Sequence, residues 1–412
     1  MKNRLFNDAK AIYEDAISEN MPNEAVKKAL EGVDFYGRVV LISIGKAGWE
    51  MARTAYEILG KRIDSGVVIT KYEHSKGAIG NLEVYEAGHP VVDENGISAT
   101  KRAIELVSSL KKEDTVLFLV SGGGSALFES LDCSLEQMQG LTKKLLECGA
   151  TINEINAIRK HISKVKGGKL ARLAAPASVF AIVLSDVVGN DLSTIASGPA
   201  TADNTTVYDC LEILKKYELS VDAELLELIK NETPKEITNV THIVSGSVSN
   251  LVKSGAEKAR SLGYNAVVVD DSVTCDATQI AEQIRELIEK NKDTKEPLAI
   301  FFGGEVTIKV RGNGKGGRNQ ELALMCAEYI SGCDNMAVFC VGSDGTDGPT
   351  DAAGGIVCGD TYELIGKHGK SPKEYLKNND SYNALALAEG LILTGPTGTN
   401  VNDLYALLIQ PK

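Results

Sequence analysis

Thr115-Val116-Leu117-Phe118-Leu119-Val120-Ser121-Gly122-Gly123-Gly124-Ser125-Ala126 decides the fold. An unbroken apolar run suits a parallel strand buried on both faces, and it empties into a glycine turn and then a small-residue helix start. The same form recurs on either side. Val39–Ile44 runs into Gly45-Lys46-Ala47-Gly48, and Ser178–Leu184 runs into Ser185-Asp186-Val187-Val188-Gly189-Asn190-Asp191. Residues 66–70 and 82–85 supply two further strands. Short apolar runs alternating with helical periodicity are the sequence form of βα units, so a doubly wound parallel sheet follows. Ligands bind such sheets beyond the carboxyl ends of the strands, and three residue-rich turns fall there.

Residues 208–236 are Lys/Glu/Leu-rich and helical, then Thr233-Pro234 and Asn239 break the pattern. This places a boundary near 236: an α/β domain over 1–236 and a second α/β domain over 237–412. In the second, residues 243–244, 266–269, 298–302, 306–310, 337–341 and 404–409 read as strands. Lys309 and Arg311 interrupt the apolar pattern, so a mixed sheet is expected.

The chain has 412 residues, 43% hydrophobic and 24% charged, within the range of packed two-domain proteins. A net charge of −12 argues against a nucleic-acid surface, which needs a concentrated basic face. The longest apolar runs, 116–120 and 179–184, are far below the roughly 20 residues of a membrane span. Residues 1–20 show helical spacing rather than the continuous apolar core of a signal peptide. Eight cysteines without a Cys-x-x-Cys, beside five histidines, fit a reducing compartment. The expectation is a cytoplasmic protein; a homo-oligomer is allowed but not required.

Gly312-Asn313-Gly314-Lys315-Gly316-Gly317 satisfies a Gly-x-Gly-x-x-Gly pattern, yet no acidic residue closes a second buried strand about 20 residues on. It reads better as an anion loop, with Lys315 and Arg318 adding charge at a helix start, or else as an exposed hairpin with solvated charges. The consecutive amides of Ser121, Gly122, Gly123, Gly124 and Ser125 suit a phosphate or carboxylate nest, with a tight crossover as the alternative. Lys46, after Gly45 at the end of the first strand, can sweep across the ligand site or sit solvated. No P-loop sequence occurs. Carboxylates gather at Asp186 with Asp191 and at Asp344, Asp347 and Asp351; either loop offers Mg²⁺ its oxygens, or turns its Asp residues inward. Glu305 follows a strand end. The basic segment 159–169, with Lys164 assigned to contact an anion, is otherwise a solvated helix face.

These stretches, with Ile195-Ala196-Ser197-Gly198-Pro199, Gly316-Gly317-Arg318-Asn319-Gln320-Glu321, Ser343-Asp344-Gly345-Thr346-Asp347-Gly348 and Thr397-Gly398-Thr399-Asn400, resemble the MOFRL-type, or class II, glycerate kinases along nearly the whole chain. The resemblance implies ATP and Mg²⁺, D-glycerate as acceptor, 2-phosphoglycerate as the usual product, and an active site in a cleft between a Rossmann-like first domain and the second domain. Lys46 matches the family lysine and Arg318 the family arginine. Expected roles follow. Lys46 and Arg318 clamp the glycerate carboxylate and the transferring phosphate, the 121–125 nest with Lys164, Glu305, Gly316, Gly317 and Asn319 binds substrate or nucleotide, and Asp186 or Asp191 orients the hydroxyl. Asp344, Asp347 or Asp351 reaches the metal. Members have also been labelled hydroxypyruvate reductases, which keeps an NAD(P)H-dependent activity as the alternative.

Overall fold

A computed structural model describes residues 2–412. The chain divides into two compact units, Ala25–Ser245, and residues 2–24 together with Gly246–Lys412.

The first unit is built on strands β1 Val39–Ile44, β2 Ser65–Lys71, β3 Glu83–Ala87, β4 Thr115–Val120, β5 Ser178–Leu184 and β6 Val240–Gly246, in sheet order β3-β2-β1-β4-β5-β6. The pairs β2/β3, β1/β2, β1/β4 and β4/β5 are parallel. All six residues of β1 are buried, as are Val116–Val120 within β4, which is why their sequences are continuous rather than alternating. The order reverses between β1 and β4, so their carboxyl ends flank the crevice where a ligand of this sheet is held. Four helices, Leu135–Glu147, Ile152–Ile162, Val207–Lys216 and Ala223–Ile229, form a separate small core around Leu141, Ile158, Cys210 and Ile229. Three of them start on capping boxes at Ser134, Thr151 and Thr206.

The second unit carries β7 Asn265–Val273, β8 Leu298–Gly304, β9 Met336–Gly342, β10 Gly354–Cys358, β11 Leu391–Ile392 and β12 Asp403–Ile409, in order β11-β10-β9-β12-β8-β7. Only β7/β8 pair parallel; the other pairs are antiparallel, so the sheet is mixed as expected, although Lys309 and Arg311, which prompted that expectation, lie outside its strands.

Three expectations need correction. The first unit runs on to Ser245, not 236, because the 243–244 run is the core of β6, an edge strand of the first sheet rather than part of the second. The helix Lys2–Glu19 belongs with the second unit: its apolar stripe of Leu5, Ala9, Ile12 and Ala16 packs on the helix Val248–Ser261, on β9 and on β12, with Tyr13 edge-on to Phe339 at 5.9 Å. Residues 306–310 form no strand, only an isolated bridge between Asp276 and Thr307, since the flanking residues are tied to the loop at 378–380 instead. Among the described residues no helix is long and apolar enough to cross a membrane.

Candidate functional site

At the carboxyl edge of the first sheet the loops after β1 and β4 grip one another. Lys46 N–H donates to the Gly122 carbonyl at 2.9 Å, Ala47 N–H to Ser121 Oγ at 3.1 Å, and Ser121 Oγ to the Ile44 carbonyl at 3.2 Å. Gly45, at φ 112°, gives its N–H to the Ile69 carbonyl. Among the described residues, the N–H groups of Gly122 and Gly123 have no hydrogen-bond partner, and both residues are partly exposed. Adjacent amides left open at a strand-to-helix turn are the geometry of an anion nest. A Cβ on Gly122 would stand 2.3 Å from Asp186 Oδ2, so only glycine lets this carboxylate lie against the loop. A Cβ on Gly123, in the left-handed region, would meet His89 at 3.1 Å and Lys46 Cγ at 3.3 Å. Lys46, Asp186 and the loop are therefore brought together, and Lys46 is exposed.

The far side of the same loop is braced. Ser125 Oγ lies 3.0 Å from Ser197 Oγ, Ser197 Oγ donates to Asn156 Oδ1 at 3.2 Å, and an Arg159 amino group donates to the Ser125 carbonyl at 2.9 Å. His89 escaped the sequence reading; its signal was a scarce histidine just past a strand end. Burial, then the positive charges of Lys46, Lys71 and His74, push its imidazole below the ordinary value, so at neutral pH it is uncharged. Asp191 has another role. Its carboxylate accepts from Ser193 N–H, Ser193 Oγ and Thr194 Oγ1 at 2.8–3.0 Å, closing the turn that carries Ser197; burial opposes ionisation, but these hydrogen bonds prevail and its pKa is lowered.

The basic segment is neither an anion surface nor a solvated face. Lys169 Nζ donates to the carbonyls of Lys160, His161 and Ser163 at 2.6–2.9 Å, capping the C-terminus of the helix Ile152–Ile162. Lys160 pairs with buried Asp203 at 3.2 Å, and fully buried Lys166 donates to the Phe128 carbonyl at 2.7 Å beside Glu129. Burial pushes Lys166 and Lys169 down to about 8. Lys164 is the exposed exception, paired with Asp132 at 2.7 Å.

In the second unit, the carboxyl ends of β8 and β9 meet the start of β12: Asp403 pairs in register with Gly304 on one side and Gly342 on the other. Arg318, first residue of the helix Arg318–Tyr329, sits over this corner. Its Nε donates to Asp403 Oδ2 at 2.7 Å, one amino group to Asp403 Oδ1 at 3.2 Å, and the other to Glu305. Asp403, also unforeseen, is 2% exposed; burial pushes its carboxyl up to about 6 against the pull of Arg318. Its signal was an acid opening an otherwise apolar strand. A guanidinium has five N–H donors, so three engaged in this clamp leave others for an anion.

Residues 311–315 do not offer their amides to a ligand, whereas among the described residues the N–H groups of Gly316 and Gly317 have no hydrogen-bond partner. Five consecutive amides, Arg311 to Lys315 in number order, are engaged by the segment 378–380: Arg311 and Gly312 give to Asn379 Oδ1, Asn313 to Asn378 Oδ1, Gly314 to the Asn378 carbonyl, and Lys315 to Asp380 Oδ1, all at 2.7–3.2 Å. A Cβ on Gly314 would lie 2.4 Å from Asp380 Cβ, and one on Gly316 2.2 Å from Ser381 Oγ. The glycines permit close approach, but to the protein's own chain. Gly317 caps the helix start without a side chain, and Asp347 supplies the missing acceptor, taking Asn319 N–H at 3.2 Å, Gln320 N–H at 2.8 Å and Gln320 Nε2 at 3.0 Å.

Mg²⁺ takes one or two carboxylates and completes its shell with phosphate oxygens and water. Among the described residues no three His, Cys, Asp or Glu side chains gather closely enough to hold a metal by themselves. Asp347 is committed to the helix, and exposed Asp351 faces Lys315 at 3.8 Å and Tyr382. Asp344 is partly exposed and uses Oδ1 for Thr346 N–H at 3.0 Å, so its other oxygen suits a hard cation. Asp186, beside the open amides, offers the same donor chemistry.

Residues 8–230 match a domain of unknown function (DUF4147), and residues 298–403 match the MOFRL family. The D-glycerate 2-kinase of Thermotoga maritima is 49% identical over 97% of this chain and 97% of its own, and the glycerate 2-kinase of Pyrococcus horikoshii 39% identical over 94% and 91%. A crystal structure of a Thermotoga maritima glycerate kinase superposes with a TM-score of 0.94 at 48% identity, covering 99% of this chain and 100% of that one.

Proposed function

Because the chain belongs to the MOFRL-type glycerate kinases, we propose that it transfers the γ-phosphoryl group of ATP to D-glycerate with Mg²⁺, giving 2-phosphoglycerate and ADP. The observation that carries this reading is the pair of open amides at Gly122 and Gly123, with Lys46 and Asp186 against them. Phosphoryl transfer asks for positioning and charge neutralisation more than for covalent help from the protein.

In the first unit, Gly122 and Gly123 N–H and the Lys46 ammonium take phosphate oxygens. Asp186 orients the glycerate hydroxyl and receives its proton as the new O–P bond forms and the bond to the ADP oxygen breaks. In the second unit, Arg318 stays charged because Asp403 and Glu305 hold it, and its remaining N–H groups face an anion as a preorganised fork. Asp344 supplies an oxygen to Mg²⁺, which when bound neutralises phosphate charge. The hydroxypyruvate reductase alternative drew on the 312–317 pattern and on the label some members carry; the engagement of the amides of residues 311–315 with 378–380 speaks against the first of these.

The test is incubation with Mg·ATP and D-glycerate, with ADP followed by a coupled assay and the product identified by phosphorus NMR. Glycerate-dependent ADP with a 2-phosphoglycerate resonance is expected. No ADP, together with hydroxypyruvate-dependent oxidation of NAD(P)H, would overturn the reading.

A further inference from the structure

The second unit contains a cavity of about 700 Å³ that the proposed chemistry does not use. Its rim carries four cations, Lys309, Arg311, Lys373 and Lys377, against two carboxylates, Asp276 and Glu321. All four cations are exposed, and among the described residues Lys309, Arg311 and Lys377 make no ion pair; only Lys373 is paired, to Glu328 at 2.7 Å. In a chain of net charge −12, four cations outnumber the two carboxylates here and repel one another, and Lys309 and Arg311 are offset in part by Asp276, whose carboxyl the hydrogen bonds from Thr278 and then these two cations hold below its ordinary value.

The walls are built, not incidental. Asn379, 8% exposed, takes the N–H groups of Arg311 and Gly312 on Oδ1 and gives Nδ2 to the Lys309 carbonyl at 3.2 Å and to Glu321 Oε1 at 2.6 Å. One buried amide therefore fixes the strap bearing Lys309 and Arg311. Lys373 and Lys377 stand one helical turn apart on the helix Pro372–Lys377, which puts both on one side of it. Burial raises the Glu321 carboxyl above its ordinary value, against the hydrogen bond from Asn379. Asp276 accepts the N–H and the hydroxyl of Thr278 on Oδ1 at 3.0 and 2.6 Å.

Ile308, Met325 and Leu376 line the same space. A bare inorganic anion has no use for apolar wall or for this volume, which lies within the range of small-molecule sites. We propose that the cavity is a second ligand site, separate from the Arg318 corner, for a phosphate monoester: the phosphate between Lys309, Arg311, Lys373 and Lys377, the organic body on Ile308, Met325 and Leu376. Glu321 lies three residues after Arg318 on the same helix, so an occupant touches the element that carries that arginine.

Two sources share this chemistry, a nucleoside monophosphate and a phosphorylated sugar acid, and calorimetry separates them with AMP and 3-phosphoglycerate as probes and inorganic phosphate as control. One of the two organic probes binds the parent at millimolar concentration or better, more tightly than inorganic phosphate. That binding persists in Lys46→Ala, and falls about tenfold or more in both Lys309→Glu/Lys377→Glu and Arg311→Gln/Lys373→Gln, whose folding is checked by thermal unfolding. The proposal is overturned by any of three results: no organic probe binds the parent, both double variants bind as the parent does, or Lys46→Ala alone abolishes binding.

Discussion

Two glycine-rich loops use their glycines differently. In residues 121–125, the amides of Gly122 and Gly123 are left open and the glycines admit Asp186 from outside the loop. In 312–317, the amides of the first four residues are engaged by Asn378, Asn379 and Asp380, those of Gly316 and Gly317 are not, and the glycines let two stretches of backbone close on each other. Glycine content reports that something comes close to the chain; the fate of the N–H groups reports whether that something is a ligand. The pattern with the more familiar spacing is the structural one.

Alanine at matched positions would sharpen the contrast. Gly122→Ala drives a methyl group into Asp186, and a displacement of that order in a transfer site costs about 10²-fold in turnover; thermal unfolding should move little. Gly314→Ala should do the reverse, losing about 1–3 kcal/mol of stability through overpacking against Asp380, with turnover per folded molecule retained. Steady-state kinetics and urea unfolding on both variants decide it, and a shared phenotype would dissolve the distinction.

A smaller effect separates buried lysine from exposed lysine in the segment 159–169. Lys169 is held near 8 by burial, while an unfolded lysine titrates near 10.5. Between these values the unfolded chain binds more protons, so the lysine makes stability rise with pH across that window. Lys169→Met removes the rise: the stability of the parent relative to the variant should grow by something on the order of 2 kcal/mol from pH 8 to pH 10.5, read by urea unfolding. Parallel curves would contradict the burial argument. Smallest of all, Lys164→Ala, which deletes an exposed pair with Asp132, should change stability by less than about 0.5 kcal/mol and leave glycerate kinetics unaltered; a raised KM would restore Lys164 to substrate binding.

What the sequence made legible was whatever is local. The runs of β1, β4 and β5, buried on both faces, announce themselves, as do the turns that follow them and hence Lys46, the 121–125 loop and Asp186. Pairing across distance is a different matter. The run at 243–244 says strand but not which sheet, because an edge strand's partner lies in β5, some 60 residues upstream. The stripe on Lys2–Glu19 says that this helix must be covered, not that β9 and β12 cover it. Charge misled in 159–169, since a lysine in sequence is exposed by default and only three converging carbonyls reveal otherwise. Asp403 was hidden for the same reason in reverse, a charged residue whose counterion, Arg318, stands 85 positions away.

The division of the chain has a temporal side. Ala25–Ser245 is complete once it leaves the ribosome, whereas the helix Lys2–Glu19 is made before it, meets the helix Val248–Ser261 only afterwards, and has its whole seat only when β9 and β12, the latter at Asp403–Ile409, have been made. At bacterial-to-eukaryotic elongation rates of about 5–20 residues per second this interval is on the order of tens of seconds. For much of it Leu5, Ile12 and Ile17 are a newborn chain's uncovered apolar face, so a segment made before the first unit is among the last to settle.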